Sequence, residues 1–384
     1  MLDRYYWYQQ VPEQVDYDRF TSPQQILDYL RYERYDRFSY ITSQSEYENL
    51  FNDGTYIGYG FSYRIESANS VRVRFVYQQS AAGMAGILRG DEILELNGQA
   101  VANIIAANSW DSIFGAPRIG VPLTIKLRRN PGLVETLILD KSKVTINTVL
   151  HSEVIDSDPY QIGYLVFNSF LRTSVAELDA VFRQFKLLGV NQLILDLRYN
   201  GGGSVEVARS LASYIRSTTV PNRDLFVELR FNDKYSSENL NYYLRPEPNT
   251  LALDELTVIT TEMTCSASEL IVAALKPYLN RVTTIGGTSC GKPVGMIPVN
   301  FCEQTLLAVN FASFNVDGEG DYFSGIAAQC AVGDDTRKAF GDLSEPMLQA
   351  ARHYIDNQLC QSPVARRSYP VTGLSGLQAI AGAI

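Results

Sequence analysis

A serine that opens a helix directly after a strand is the first candidate for chemistry in this 384-residue chain. Thr264-Cys265-Ser266-Ala267-Ser268-Glu269 follows an apolar, strand-like run, Leu256 to Thr261, and leads into a helical run, Leu270 to Tyr278. First-turn N–H groups and the positive helix end gather at such a junction, which suits a nucleophile whose reaction develops negative charge on oxygen. Ser266 and Glu269 also have the spacing of a capping box, in which both side chains only satisfy backbone donors. Both readings stay open on these six residues. The histidines narrow the chemistry, because there are only two. His353 falls in an expected surface helix, Glu345 to Leu359, and His151 stands in a polar segment beside Ser152 and Glu153. No G-x-S-x-G elbow accompanies Ser266, so a nucleophilic Ser266 needs a base other than histidine.

Two glycine-rich loops flank the serine in sequence. Val190 to Leu197 is a continuous apolar strand that ends in Asp196-Leu197-Arg198-Tyr199-Asn200-Gly201-Gly202-Gly203-Ser204, and a helix, Val205 to Ile215, follows. The spacing is neither G-x-G-x-x-G nor Walker. What remains is an anion-stabilising loop whose backbone N–H groups are exposed because glycine has no side chain. A strand from Arg281 to Ile285 runs into the second loop, Gly286 to Gly295, which carries Lys292. Upstream, Gly163 to Phe167 reads as a strand and Ser174-x-x-Glu177 caps a helix with Val175, Leu178, Phe182 and Phe185 on one face, stopped by Gly189. From Arg128 on, the pattern is therefore α/β, in which ligand sites lie at the carboxyl ends of strands.

The elements before this core are of two kinds. Residues 1–52 read as short helices, with Thr21-Ser22-Pro23 a start signal and Ile26, Leu27 and Leu30 an apolar face; by periodicity they are a helical appendage. Residues 53–130 change to strands and tight turns, with Val71, Val73 and Phe75 alternating, a small-residue helix from Ser80, and an Asn97-Gly98 hairpin turn. This stretch resembles a PDZ domain. Gly58-Tyr59-Gly60-Phe61 stands where that family's carboxylate-binding loop would be, so the resemblance implies capture of a peptide C-terminus as an added strand, or a spacer or gate built on the same fold.

Composition bounds the rest. Hydrophobic content of 46% and a net charge of −9 describe an ordinary globular chain without a nucleic-acid footprint. No apolar run approaches the roughly 20 residues a membrane helix needs. The N-terminus lacks a charged-then-apolar leader, and the expectation is that a signal or lipid-anchor segment has been removed. Five cysteines without a CxxC pair argue against a metal site.

Taken together, the motifs resemble the carboxy-terminal processing (tail-specific) proteases, serine peptidases with a Ser-Lys dyad. Asp196-Leu197-Arg198-Tyr199-Asn200-Gly201-Gly202-Gly203 is similar to the family's D-L-R-x-N-x-G-G loop, Ser266-Ala267-Ser268-Glu269 to its S-A-S-E block, and Gly287-Thr288-Ser289-Cys290-Gly291-Lys292 to the loop with the base. The resemblance implies an α/β, crotonase/ClpP-like catalytic core over 131–360, an inserted PDZ-like domain, an N-terminal helical segment and a C-terminal tail, 361–384. It implies Ser266 as nucleophile and Lys292 as base, with Gly201 or Gly202 and the N–H of Ala267 as oxyanion donors. Ser268 and Glu269 would support the helix start, Asp196 and Arg198 would brace the glycine loop, and Tyr164 would line a substrate channel. A lysine serves as base only when desolvation lowers its pKa. Many members carry a glutamine four residues beyond the lysine to orient the amine; here that residue is Met296.

The same resemblance implies protein or peptide substrates with apolar C-termini, no cofactor and periplasmic or extracellular placement; a homo-oligomer is compatible with the sequence, which does not set the oligomeric state. Cys265 and Cys290 flank the dyad and read as buried small hydrophobes, as a disulfide bracing it or as a redox-sensitive pair, and they are expected to be able to pair. A disulfide is also expected among Cys302, Cys330 and Cys360, with Cys302–Cys330 first. The apolar tail, Leu377 to Ile384, is expected to mimic substrate in a neighbouring copy. Two rival functions stand beside the protease: a non-catalytic PDZ-type scaffold, and a crotonase-like acyl-CoA enzyme.

Overall fold

The computed structural model describes residues 2–129, 132–216 and 223–361, so the expected tail beyond Gln361 lies outside the described residues. Helix α1 (Pro23–Leu30) begins as its signals predict: Ser22 Oγ accepts the Gln25 N–H, Pro23 stands in the first turn, and Leu27 and Leu30 are buried. The N-terminal segment is not purely helical. Strand β1 (Tyr40–Ser43) pairs antiparallel with Gln304–Leu307, far along the chain. Ser43 then caps α2 (Gln44–Phe51) by accepting the Glu46 N–H. This long-range pairing, invisible to local periodicity, draws residues 36–52 onto the α/β core.

An antiparallel unit follows: β2 (Thr55–Gly58), β3 (Phe61–Ser67), β4 (Ser70–Val76), α3 (Ala81–Met84), β5 (Glu92–Leu96), β6 (Gln99–Ala100), α4 (Val101–Ala107), α5 (Trp110–Phe114), β7 (Pro122–Arg128) and β8 (Val134–Asp140). The sheet order is β3-β4-β5-β7-β8, with β6 on β5. Val71, Val73, Ile93, Leu96, Leu123, Ile125 and Leu127 alternate inward and form a core of its own. The sheet runs past the expected boundary at residue 130, because β8 pairs with β7 from Arg128↔Val134 to Pro122↔Asp140. β2 leaves this sheet to pair with β9 (Ser142–Thr145), so the chain enters and leaves the unit through one two-stranded ribbon.

The core then runs β10 (Val149–Ser157), β11 (Tyr160–Phe167), α6 (Ser174–Leu187), β12 (Gln192–Asp196), α7 (Val205–Ile215), β13 (Leu225–Phe231), β14 (Leu240–Tyr243), β15 (Glu255–Thr260), α8 (Ala267–Leu275), β16 (Arg281–Gly286), β17 (Val294–Met296), β18 (Val299–Phe301), β19 (Gln304–Leu307), β20 (Val309–Phe314), β21 (Cys330–Ala331) and α9 (Pro346–Asn357). The main sheet is ordered β10-β11-β12-β15-β16-β21, parallel from β11 onward. Leu195 and Val258 pack with Phe182, Leu211 and Ile271 of α6, α7 and α8 on one face. Ile194, Ile259 and Ile285 pack with Leu348 and Tyr354 of α9 on the other. Burial on both faces is why these strands read as continuous apolar runs, and α9, expected at the surface, buries one whole face. A second sheet, β14-β13-β20-β17, lies beside the first.

The register matters most for function. Asp196 pairs with Ile259 and Thr260 with Gly286, so β12, β15 and β16 end side by side. Their loops (the Gly201 loop, the Ser266 turn and the Lys292 loop) therefore emerge together, the serine in the middle.

The cysteine expectations need one correction. Cys330 pairs with Cys360, and Cys302 is free and exposed. Cys302 and Glu303 form the two-residue turn of the β18–β19 hairpin, both at positive φ (43° and 60°), which turns the thiol outward. Cys330 instead opens the strand beside β16, over which α9 returns Cys360.

Candidate active site

Ser266 stands at the N-cap of α8 with φ 56° and ψ −115°, a conformation costly for a serine. Neighbouring groups hold it there. Thr264 Oγ1 donates to the Leu197 carbonyl at 2.8 Å, the Cys265 N–H to the Asn200 carbonyl at 3.0 Å, and Ser268 Oγ to the same carbonyl at 2.9 Å. Ser268 is thus a buried tie to the glycine loop. Gly202, at φ +104°, presses on the turn: a Cβ there would lie 2.8 Å from Ser266 Cβ and 2.9 Å from the Cys265 carbonyl. Only glycine fits that approach.

Glu269 does more than cap the helix. Its Oε2 accepts the N–H groups of Ser266 (2.9 Å) and Lys292 (2.8 Å), and its Oε1 accepts the Gly291 N–H (2.7 Å) and the Ser289 hydroxyl. One buried carboxylate therefore fixes the backbones of both candidate partners. Burial pushes its pKa up, against the opposing pull of these four donors. Cys265 and Cys290 form a disulfide across the same gap, Cα atoms 5.2 Å apart. Cys265, Glu269 and Cys290 bring three potential metal donors within 4.8 Å of one another. The sulfurs are bonded to each other and Glu269 is fully hydrogen-bonded, so the cluster works as a brace.

Lys292 is the electrostatic centre of the site. Desolvation lowers its amine from 10.5 to about 8, against the attraction of the Asp36 and Glu269 carboxylates. Its Nζ lies 5.2 Å from the centroid of the Phe38 ring. Ser266, Lys292, Gly201 and Ala267 line one cavity of about 270 Å³. Phe170, Val205, Leu270 and Phe311 make its apolar wall, and Tyr40, Tyr47, Phe51 and Asn52 of the N-terminal segment another. Neither histidine lines it.

The expected oxyanion donors divide. The Gly202 N–H is committed to Asn200 Oδ1 at 2.9 Å, while Asn200 Nδ2 holds the Phe167 carbonyl at 2.9 Å. Gly202 therefore shapes the loop and is not a free donor, which leaves Gly201 and Ala267 of the three. Tyr164 is also corrected: it is 1% exposed and donates to Asp196 Oδ2 at 2.8 Å, so it lies beneath the site and lines no channel.

Asp196 and Arg198 are buried under the glycine loop. The Arg198 guanidinium meets Asp196 (2.7 Å), Asp334 (2.9 Å) and Glu345 (3.0 Å). Asp334 also accepts Arg89 (2.9 Å) and Arg64 (3.1 Å) from the antiparallel unit, and the Tyr199 hydroxyl. Burial alone would raise the Asp334 carboxyl, yet the three guanidiniums hold it well below the usual carboxylate range. In the candidate ligand loop, Gly58 ends β2 and Phe61 starts β3, Tyr59 is buried, and Gly60 at φ +88° packs against Ser80. Tyr63 stacks on Trp110 at 4.5 Å beside β3, the end strand of that sheet.

The sequence model of peptidase family S41 matches residues 161–331, and that of the peptidase S41 N-terminal domain matches residues 1–40, together more than half of the chain. The chain belongs to peptidase family S41. It is similar to the carboxy-terminal processing protease CtpA of Bacillus subtilis (strain 168), 26% identical over 256 residues, 65% of this chain and 50% of that one. It is similar too to the chloroplastic C-terminal processing peptidase of Tetradesmus obliquus, 27% identical over 274 residues, 68% of this chain and 56% of that one. The chain thus spans about half the length of the curated relatives it matches. A Bacteroides fragilis NCTC 9343 protein described as an S41 protease shares the fold, with TM-score 0.74 at 24% identity, covering 92% of this chain and 95% of that one.

No spacing in the sequence marks Asp36, Arg37 and Phe38, which reach the lysine loop only through the tertiary fold.

Proposed function

We propose that the chain is a serine endopeptidase with a Ser266–Lys292 dyad. Ser266 Oγ attacks the peptide carbonyl as the free Lys292 amine takes its proton. The resulting ammonium then protonates the leaving amine, and water, deprotonated by the same amine, hydrolyses the acyl-enzyme. The N–H groups of Gly201 and Ala267 stabilise the tetrahedral oxyanion. One observation carries the reading: an amine lowered to about 8 by burial shares a cavity with a serine at a helix start. The wall of Phe170, Val205, Leu270 and Phe311 suits an apolar side chain next to the scissile bond.

The antiparallel unit is read as PDZ-type, its Tyr59-Gly60-Phe61 loop and free β3 edge receiving a substrate's apolar C-terminus. Two disulfides suit an oxidising compartment, periplasmic or extracellular. Among the described residues, no helix is long and apolar enough to cross a membrane. Met296 at the position of the orienting glutamine favours the second reading, a non-catalytic PDZ-type scaffold.

Cleavage of an unfolded protein ending in apolar residues tests both readings. Wild type should cut, with a rate that rises with pH through about 8 as the amine deprotonates. Ser266→Ala and Lys292→Ala should not cut. Activity surviving both substitutions ends the dyad, and a wild type inert at every pH favours the scaffold.

A further inference from the structure

We propose that the Asp36–Phe38 turn of the N-terminal segment is the positioning element for Lys292, holding its amine in place and stabilising the ammonium formed when it takes the Ser266 proton. This rests on the dyad reading above. The turn reaches the lysine and its loop through a ring face, a hydrogen bond and a carboxylate field. The Arg37 guanidinium shares the Phe38 ring, 4.8 Å from its centroid, and its charge opposes an ammonium. The Phe38 ring presents its face to Nζ at 5.2 Å, a cation–π arrangement that favours the charged form. The Arg37 guanidinium donates to the carbonyl of Cys290, two residues before Lys292, and so grips the loop that carries it. Asp36 is 1% exposed and its carboxylate is near enough to act on the amine electrostatically.

Asp36 is itself rigidly held. It accepts the Tyr5 hydroxyl (2.7 Å), the N–H groups of Phe38 (3.0 Å) and Ser39 (2.9 Å), and the Ser39 hydroxyl (2.6 Å). These are neutral donors, so they orient the carboxylate without cancelling its field. The remaining polar groups around the amine do not duplicate this role. Glu269 lies on the α8 side and takes the backbone N–H of Lys292. Arg172 lines the cavity and is repulsive to an ammonium. Tyr322 lines it too, its phenol pushed up by burial and therefore neutral. Met296, half-buried on β17, offers only a thioether where a glutamine would accept a hydrogen bond from the amine.

The chemistry explains why such a turn is needed. The lysine must be the free amine to act as base and is positive once it has accepted the serine proton. A π face and a fixed carboxylate interact more strongly with the ammonium than with the amine, so they act on the transition state. Desolvation does the opposite, and alone it would lower the amine further and weaken it as a base.

The test uses the full chain with Phe38→Leu, which keeps an apolar side chain but removes the ring, together with Phe38→Tyr and Asp36→Asn. Two readouts are taken: the titration of Lys292 by NMR of isotopically labelled lysine, and the pH profile of peptide cleavage. Phe38→Leu should move the Lys292 midpoint and the acid limb of kcat down by about half a unit to one unit and lower kcat about 3- to 10-fold, with KM unchanged. Phe38→Tyr should restore both, and Asp36→Asn should shift the midpoint in the same direction. An unchanged midpoint and kcat in Phe38→Leu, or a change in KM alone, overturns the proposal. Should Asp36→Asn not fold, Phe38→Leu still decides. Cleavage by Lys292→Ala at the wild-type rate would defeat the dyad reading instead, and the NMR midpoint would still report on the turn.

Discussion

Lys292 and the Asp334 hub are both charges taken out of water, and their surroundings are opposite. Asp334, its side chain 2% exposed, is met by Arg64, Arg89 and Arg198, which bind the antiparallel unit to the base of the glycine loop. Among the described residues, no carboxylate is in salt-bridge contact with Lys292; it has an aromatic face, two carboxylates acting from further away and a backbone N–H tied to Glu269. The paired charge stays ionised and locks two parts of the molecule. The charge without a direct partner has its pKa lowered to about 8 by desolvation, which suits the proposed role of base. Pairing, more than burial, separates a brace from a base.

The strongest way to break this comparison is Lys292→Met. Cleavage should fall about 10⁴-fold or more, yet the melting temperature at pH 7 should rise, because a desolvated ammonium is replaced by an apolar side chain. The sign follows from linkage. The folded amine sits near 8 against an ordinary 10.5, so the unfolded chain holds the extra proton between those values and stability rises with pH over that window. The Met variant should lose that rise; a variant that melts lower than wild type at pH 7 would contradict the picture.

Asp334→Ala should behave in the opposite way, costing about 3–5 kcal/mol of stability by leaving three buried guanidiniums without their partner. Chemical denaturation measures it. Because the wild-type carboxyl is held below its ordinary value, its contribution is present above about pH 4 and fades as pH falls further. A loss under 1 kcal/mol would mean that the hub is solvated in practice.

Glu269→Gln sharpens the Lys292 side. One oxygen acceptor becomes an NH₂ facing backbone donors, so the protein should fold but kcat should drop about 10²-fold, the usual effect of a small misplacement of reacting groups. Unchanged kcat would return Glu269 to the role of a helix cap. The smallest effect is expected from Cys265→Ser with Cys290→Ser. Loss of that crosslink should lower stability by about 2–4 kcal/mol and activity only several-fold, since the hydrogen bonds of Glu269 remain; a complete loss of cleavage would make the disulfide the main brace.

Much of the site was legible in the residues. The serine turn reads from its strand-to-helix junction, though only the three motifs together single out Ser266 as the candidate nucleophile; the glycine loop reads from its composition, and the α/β core from apolar strands alternating with amphipathic helices. Roles that depend on where a hydrogen bond points were not. Gly201 and Gly202 are indistinguishable in sequence, but Asn200 takes the N–H of only one. Tyr164 stands on a core strand in either reading, and only the position of Asp196 puts its hydroxyl under the sheet. The Cys302–Cys330 expectation failed because hairpin geometry at Cys302 is local, whereas the return of Cys360 over β16 is not.

By itself the sequence determined the helices and strands around the serine and the two glycine loops and their order, because helix caps, glycine turns and apolar periodicity act over a few neighbouring residues, but it did not show β1. Only the tertiary structure decided what reaches Lys292. Parallel register set three loops side by side, and the pairing of β1 with β19 carried Asp36, Arg37 and Phe38 over more than 250 residues of chain to the lysine. A lysine's pKa is a property of everything within a few ångströms of it, and that neighbourhood exists only once the chain has folded.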